Sequence, residues 1–302
     1  MKLRITLLLI IYTILSYGCA NMVDFNDDIS SSTSSGDFEL VLNRSTGVAP
    51  LTVFFDAEDY GANYFESVDE PFHDLEYRWT FGDDEDATWD YGTRPGEISK
   101  NEATGPVAAH VFEEAGEYTV EVEIFDGTDS YTEEVQITVY DPDCDDENDP
   151  LYDPDQSFEN TVLVANNESD FDWNDYKEFH EEWDEEDWDK FDKYVYTEFD
   201  TALSEALADG GRRILFKSGQ TFDFSSQTTV DVDSPVLIGS FGSGDNPIIS
   251  LNESFTGYFA VFATSDDIRF MDFEIDGNEL TDPTPIRGMY LGGDNCLALR
   301  LY

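Results

Sequence analysis

The chain of 302 residues carries 68 Asp and Glu against 15 Lys and Arg, a formal net charge of −53 at neutral pH. A field of that sign repels phosphate backbones and anionic headgroups, which excludes nucleic acid and a bare lipid surface as partners. Three readings of the charge compete: a solvated surface for a saline habitat, calcium binding, and attraction to a cationic partner. Its spread over every segment favours the first.

Lys2 and Arg4 precede an apolar run from Ile5 to Leu15, which is shorter than the ~20 residues a bilayer span needs. A charged start, an apolar centre and small residues after it describe a secretory signal peptide. Gly18-Cys19 resembles the lipobox of bacterial lipoproteins, although Leu15 stands one place further from the cysteine than that pattern has it. The resemblance implies a signal peptide over 1–19 and lipidation at Cys19, hence a secreted outer-membrane or cell-surface protein that meets the membrane only through its anchor. The alternative is a plain signal peptide with an incidental cysteine. Residues 20–36, ending in the run from Ser30 to Gly36, read as a flexible tether.

Over 37–140 short apolar–polar alternations are broken by Gly, Pro, Asn and Asp, as in Phe38–Leu42, Leu51–Phe55, Tyr118–Ile124 and Val135–Val139. Period-two patterning at this spacing predicts an antiparallel β-sandwich. Ala49-Pro50-Leu51-Thr52-Val53, Tyr77-Arg78-Trp79-Thr80-Phe81-Gly82-Asp83, His110-Val111-Phe112, Gly116-Glu117-Tyr118-Thr119-Val120 and Asp126-Gly127 follow one another in the order of a PKD domain, which this segment resembles. The resemblance implies an Ig-like sandwich acting as spacer or binding module outside the cell. Trp79 alternates with Phe81 on one strand, which favours core packing over sugar stacking, and His110 is expected to be structural. Two stretches are longer than the family pattern, about 59–75 and 85–106. The second carries Trp89, Tyr91 and Arg94, either an exposed carbohydrate-binding loop or one folded onto its own sandwich.

Residues 141–158 form an acidic linker broken by proline. Asp141, Asp143 and Asp145 alternate as in the first half of a calcium loop, a Ca2+ candidate weakened by Asp146 where glycine is expected and Tyr152 in place of the closing glutamate. The stretch 168–198 is acidic yet rich in aromatics. A helical projection gathers Tyr176, Phe179, Trp183, Phe191 and Tyr194 on one face, which favours an amphipathic helix packed on the next domain over an exposed sugar platform.

From Thr161-Val162-Leu163-Val164, through a helix over Phe199–Leu207 closed by Gly210-Gly211, to the strand Arg213–Lys217 and its Ser218-Gly219 turn, the chain resembles the N-terminal cap and first coil of right-handed parallel β-helix proteins such as bacterial polysaccharide lyases. The expected fold class is all-β: an Ig-like PKD sandwich, then the cap and first coils of a parallel β-helix over 159–302. Alternation predicts Ile268, Phe270, Phe273, Ile275, Leu297, Leu299 and Leu301 inward and Cys296 outward. Cys144 and Cys296 are either bridged or separate thiols. The last recognisable strand ends at the last residue, so the β-helix is expected to continue beyond it. In lyases of this kind, outward carboxylates hold calcium beside a basic residue. The corresponding outward residues here, Lys217, Arg269, Asp272, Glu274, Asp276 and Arg300, are expected to be solvated surface, and no catalytic residue is assigned. Function is accordingly expected in polysaccharide or cell-surface glycan binding or degradation, by a lyase or hydrolase, with a non-catalytic adhesin as the alternative.

Overall fold

The computed structural model describes residues 40–58, 70–83, 88–89, 98–144, 146–153, 160–177, 188, 191–233, 235–277 and 287–302. Cys19 and the tether lie outside them. By its internal contacts the chain forms two compact units. One takes in Val53–Ala109 and Val120–Val135 with the chain up to Ser45; the other comprises Thr46–Thr52, His110–Thr119 and Gln136–Tyr302.

The first strands are β1 (Val41–Leu42), β2 (Thr46–Val48), β3 (Leu51–Asp56), β4 (Glu76–Thr80), β5 (Thr88–Trp89), β6 (Ile98–Ser99), β7 (Glu102–Thr104), β8 (Val107–Phe112), β9 (Gly116–Phe125) and β10 (Ser130–Tyr140). They form a three-stranded sheet, β1-β3-β8, and a five-stranded sheet, β2-β10-β9-β4-β7, while β5 and β6 pair as a separate hairpin. Neighbours β9, β4 and β7 are antiparallel, and β2 joins β10 in parallel. Alternation works as the sequence predicts: Tyr77 and Trp79 are buried while Glu76 and Arg78 face out. Trp79 is fully buried, lies 5.6 Å from the Phe55 ring and donates its indole N–H to the Gly105 carbonyl at 2.8 Å. It is a core residue. His110 is likewise buried, edge-on to Phe112. Gly82 sits at φ 70°, a left-handed turn that a β-carbon would strain.

The rest is parallel. Strands β11 (Thr161–Ala165), β12 (Asp192–Val195), β13 (Arg213–Lys217), β14 (Thr221–Val230), β15 (Val236–Phe241), β16 (Ile248–Ala263), β17 (Ile268–Asp276), β18 (Arg287–Leu291) and β19 (Leu297–Leu301) stack coil upon coil. Val162, Ile214, Ile238 and Phe270 meet in register, an inward ladder, and all four are fully buried. The first half of β17 pairs with β15 and its second half with β16. The bend between them falls at Asp272, whose φ is 62°. Such parallel pairing through successive turns is a parallel β-helix.

The helix Phe199–Ala208 packs Phe199, Ala202, Leu203 and Ala206 into this core, and Gly210 at φ 91° stops it. Asp200 ties the helix start to β14 by accepting from the Ser226 amide at 2.9 Å and from the hydroxyls of Ser225 and Ser226 at 3.0 and 2.8 Å. Strand β12 occupies the outer position of its sheet, where charged Asp192 and Lys193 discourage further pairing.

Two expectations need correction. The aromatic stretch is not one helix: among the described residues Trp173–Lys177 is α-helical, and Asp192–Val195 is a strand beside β11. It does pack rather than display its aromatics. Tyr176 and Phe191, with centroids 4.7 Å apart, lie buried on Leu163, Leu215, Leu237, Phe241 and Met271. Phe179 and Trp183 lie outside the described residues. The phase of β19 is also reversed over its first residues, since Leu297 and Leu299 stand in register with Arg269 and Met271 on the outward row while Cys296 packs against the inner core; Leu301, beyond Arg300 at φ 49°, packs inward as expected. That outward row is itself covered by aromatics, so both faces are apolar and hydrophobicity alone cannot set the phase. Neither Cys144 nor Cys296 is in a disulfide.

Candidate functional site

The five-stranded sheet carries a groove of about 640 Å³ at one end. Register brings its walls together: Arg78 of β4 stands opposite Glu123 of β9 and Thr104 of β7, and Glu76 stands opposite Phe125. Phe72, in the helical turn Pro71–Asp74, and the Gly105-Pro106 connection close it, with Ser130 beside them. Phe72 is 65% exposed, its ring edge-on to His73. The Arg78 guanidinium and the Glu123 carboxylate are a loose pair, 3.8 Å apart, with most of the Arg78 side chain in water. Beneath the groove Tyr77 is buried at 4% exposure on the core face of β4, the face of Trp79, and its hydroxyl meets no hydrogen-bond partner among the described residues. Burial first, then the charges of Glu58 and Asp56, push its phenol up to about 12. The groove offers an exposed ring and a donor next to an acceptor.

The basic residues expected as solvated surface on the coils are all engaged. Lys217 binds Asp175 at 2.8 Å and faces the Phe241 ring. Arg269 is 1% exposed. It forks onto Asp267 at 2.8 and 2.9 Å and, within the same compact unit, donates its remaining terminal nitrogen to the carbonyls of Val48 and Pro50 at 2.5 and 2.7 Å. Arg300 grips Asp272 at 2.5 and 3.0 Å and reaches Glu113. The outward row is therefore a set of ion pairs. Glu274 remains exposed beyond the bend, with Asp276 half-buried on the same side.

Of the calcium candidates, Asp143 is 8% exposed and receives Arg213 in a two-pronged pair at 2.5 and 3.2 Å. The Tyr176 hydroxyl donates to the same carboxylate at 3.5 Å. Asp141 accepts the Asp143 amide at 2.8 Å, and Asp145 lies outside the described residues. No group of three or more His, Cys, Asp or Glu able to hold a metal occurs among the described residues. Trp89 of the second long stretch is half-buried in its hairpin, with the Lys100 ammonium 4.8 Å above its ring, while Tyr91 and Arg94 are outside the described residues.

Residues 37–139 match the model of the PKD domain. The sandwich is thus a PKD-type module, as the order of its motifs suggested, followed by parallel coils. No curated protein and no solved structure matches the chain. The groove itself was not foreseen, because Phe72 belongs to a stretch visible in the sequence only as an insertion. Its signal was Pro71-Phe72, an aromatic after a helix-starting proline just ahead of the Tyr77 strand.

Proposed function

We propose that this protein works outside the cell as a surface-attached, polysaccharide-binding protein, its PKD module and parallel β-helix serving together to hold a glycan. The observation that carries this reading is the pairing of a PKD-type sandwich, an extracellular and often carbohydrate- or surface-associated module, with a stack of parallel coils. Anchorage through Cys19 and the tether would keep it at the surface. No helix among the described residues is long and apolar enough to cross a membrane.

For the described coils, binding is favoured over cleavage by the state of their cations. Lyase chemistry needs a basic side chain placed to take a proton from the substrate. Lys217, Arg269 and Arg300 each spend that capacity on a carboxylate of the chain. The experiment is affinity electrophoresis of the full chain through gels holding single soluble polysaccharides, with absorbance of unsaturated product followed on pectate and alginate. Retardation by at least one polysaccharide, without product, is expected. Passage through every gel at the control rate would remove the proposal, and released unsaturated product would replace binding by catalysis.

A further inference from the structure

We infer that the groove beside Phe72 and Arg78 is the glycan site, and that its ligand is an uncharged polysaccharide, not a polyuronate. This deepens the binding role proposed above and rests on it. The groove lies within a single compact unit, and its volume of about 640 Å³ falls inside the range of ~300–1,000 Å³ typical of ligand clefts.

Two independent features converge. Phe72 holds an aromatic ring out in water at the rim, where its only ring neighbour among the described residues is the edge-on His73. An exposed ring beside a cleft is an apolar patch that a sugar's C–H face can cover. Arg78 and Glu123 set a donor fork and an acceptor 3.8 Å apart, a spacing that leaves both able to bind neighbouring hydroxyls of a sugar ring.

Charge then selects among glycans. Among the described residues the lining holds two carboxylates, Glu76 and Glu123, against the single cation Arg78, inside a chain of net charge −53. A uronate polymer brings one negative charge per sugar and would meet repulsion both locally and at long range. An amino-sugar polymer would be drawn to the whole surface without needing the groove, and that attraction would collapse with salt. A neutral chain avoids both penalties and uses the hydroxyl-matching groups present.

The test is isothermal titration of the full chain and two variants with neutral glucan, mannan and galactan, with polygalacturonate and alginate, and with chitosan, at low salt and at 0.5 M NaCl. Phe72→Ala and Arg78→Ala each remove an exposed side chain, so neither should unfold the sandwich. A neutral glycan should bind with little salt dependence. Phe72→Ala should weaken it at least tenfold and Arg78→Ala several-fold, with the melting temperature of both close to that of wild type. Equal affinity in wild type and both variants would reject the groove while leaving polysaccharide binding intact. Preference for polyuronate, or binding of chitosan alone that vanishes at 0.5 M NaCl, would reject the ligand class. Absence of binding to every polymer would reject this inference and the proposed function together.

Discussion

The ion pair of Arg213 and Asp143 fastens the acidic linker to β13 of the coil stack, and its worth follows from its burial. Their side chains are 5% and 6% exposed, and two nearly parallel N–H···O contacts join them. Burial opposes the charge of Arg213, yet the Asp143 carboxylate outweighs that and, with the nearby Tyr176 and Asp141, holds the guanidinium pKa above its ordinary value. Such a pair is worth little compared with a well-packed apolar replacement, but losing one member strands the other in a dry site. Asp143→Asn or Arg213→Met should therefore each cost about 3–5 kcal/mol. For a unit of this size that is a fall of roughly 6–20 °C in melting temperature. The double variant Asp143→Leu/Arg213→Met should recover most of the loss or exceed wild type.

Urea unfolding followed by tryptophan fluorescence reads this locally, because Trp173 and Trp188 pack around Tyr176 in the same cluster. The single-variant losses should persist in 1 M NaCl, where the screening length of ~3 Å abolishes exposed pairs but not a dry one. A single variant costing under about 1 kcal/mol, the value of a surface pair, would refute the reasoning. So would a double variant as unstable as the sum of its parts, since that would mean the two residues do not act as a pair.

Asp200→Ala should lower the stability of the coil stack by about 2–3 kcal/mol, because the carboxylate serves the Ser226 amide and two hydroxyls; urea midpoints check this, and a loss within experimental error would refute it. Trp79→Phe should cost the sandwich about 2–4 kcal/mol by opening a void and orphaning the Gly105 carbonyl, with hydrogen exchange in β4 as the readout and unchanged protection as the refuting result. Tyr77 holds its proton more tightly folded, up to about 12, than at its ordinary 10.0. Its contribution to stability is thus complete below pH 10.0 and drains away as pH rises toward 12. Tyr77→Phe should remove that alkaline decline from the unfolding free energy, along with a late step in the 295 nm titration; an identical pH slope in the variant would contradict it.

Where one face of an element is wet and the other dry, the sequence showed the structure directly. The alternation of Tyr77, Trp79 and Phe81 placed two aromatics of a core that the coordinates bear out at 5.6 and 5.8 Å from Phe55. In the coils the same rule failed at β19, where the outward row is covered too and Leu297 and Leu299 carry no sign of which way they face. The helical projection over Tyr176 to Tyr194 failed for a related reason. Residues at three- and four-residue spacing also land together when a short helix is followed by a strand, and pairing with β11 decided between them at Asp192–Val195. Long-range pairs such as Arg213 with Asp143 leave no local trace, since any of 68 carboxylates could have met that arginine. The groove escaped notice for the same reason. Arg78, Glu123 and Thr104 become neighbours only through strand register.

With 15 cations for 68 carboxylates, the chain commits Arg213, Lys217, Arg269 and Arg300 to ion pairs within its folded part. Arg213 and Arg269 are almost wholly buried, where solvent ions screen poorly. The outer surface is left with carboxylates that repel one another across water, a cost that screening does remove. The two populations must then respond oppositely to ionic strength: self-repulsion fades over a screening length that shrinks from ~10 Å at 0.1 M to ~3 Å at 1 M, while the dry pairs keep their value. Melting temperature should accordingly climb as NaCl rises from low concentration to 1 M, and Arg213→Met should run parallel to wild type at a lower temperature. A melting temperature that fell with salt would mean that exposed attractive pairs, not carboxylate repulsion, dominate the surface. In that case the exclusion of polyuronates from the groove would lose its physical basis.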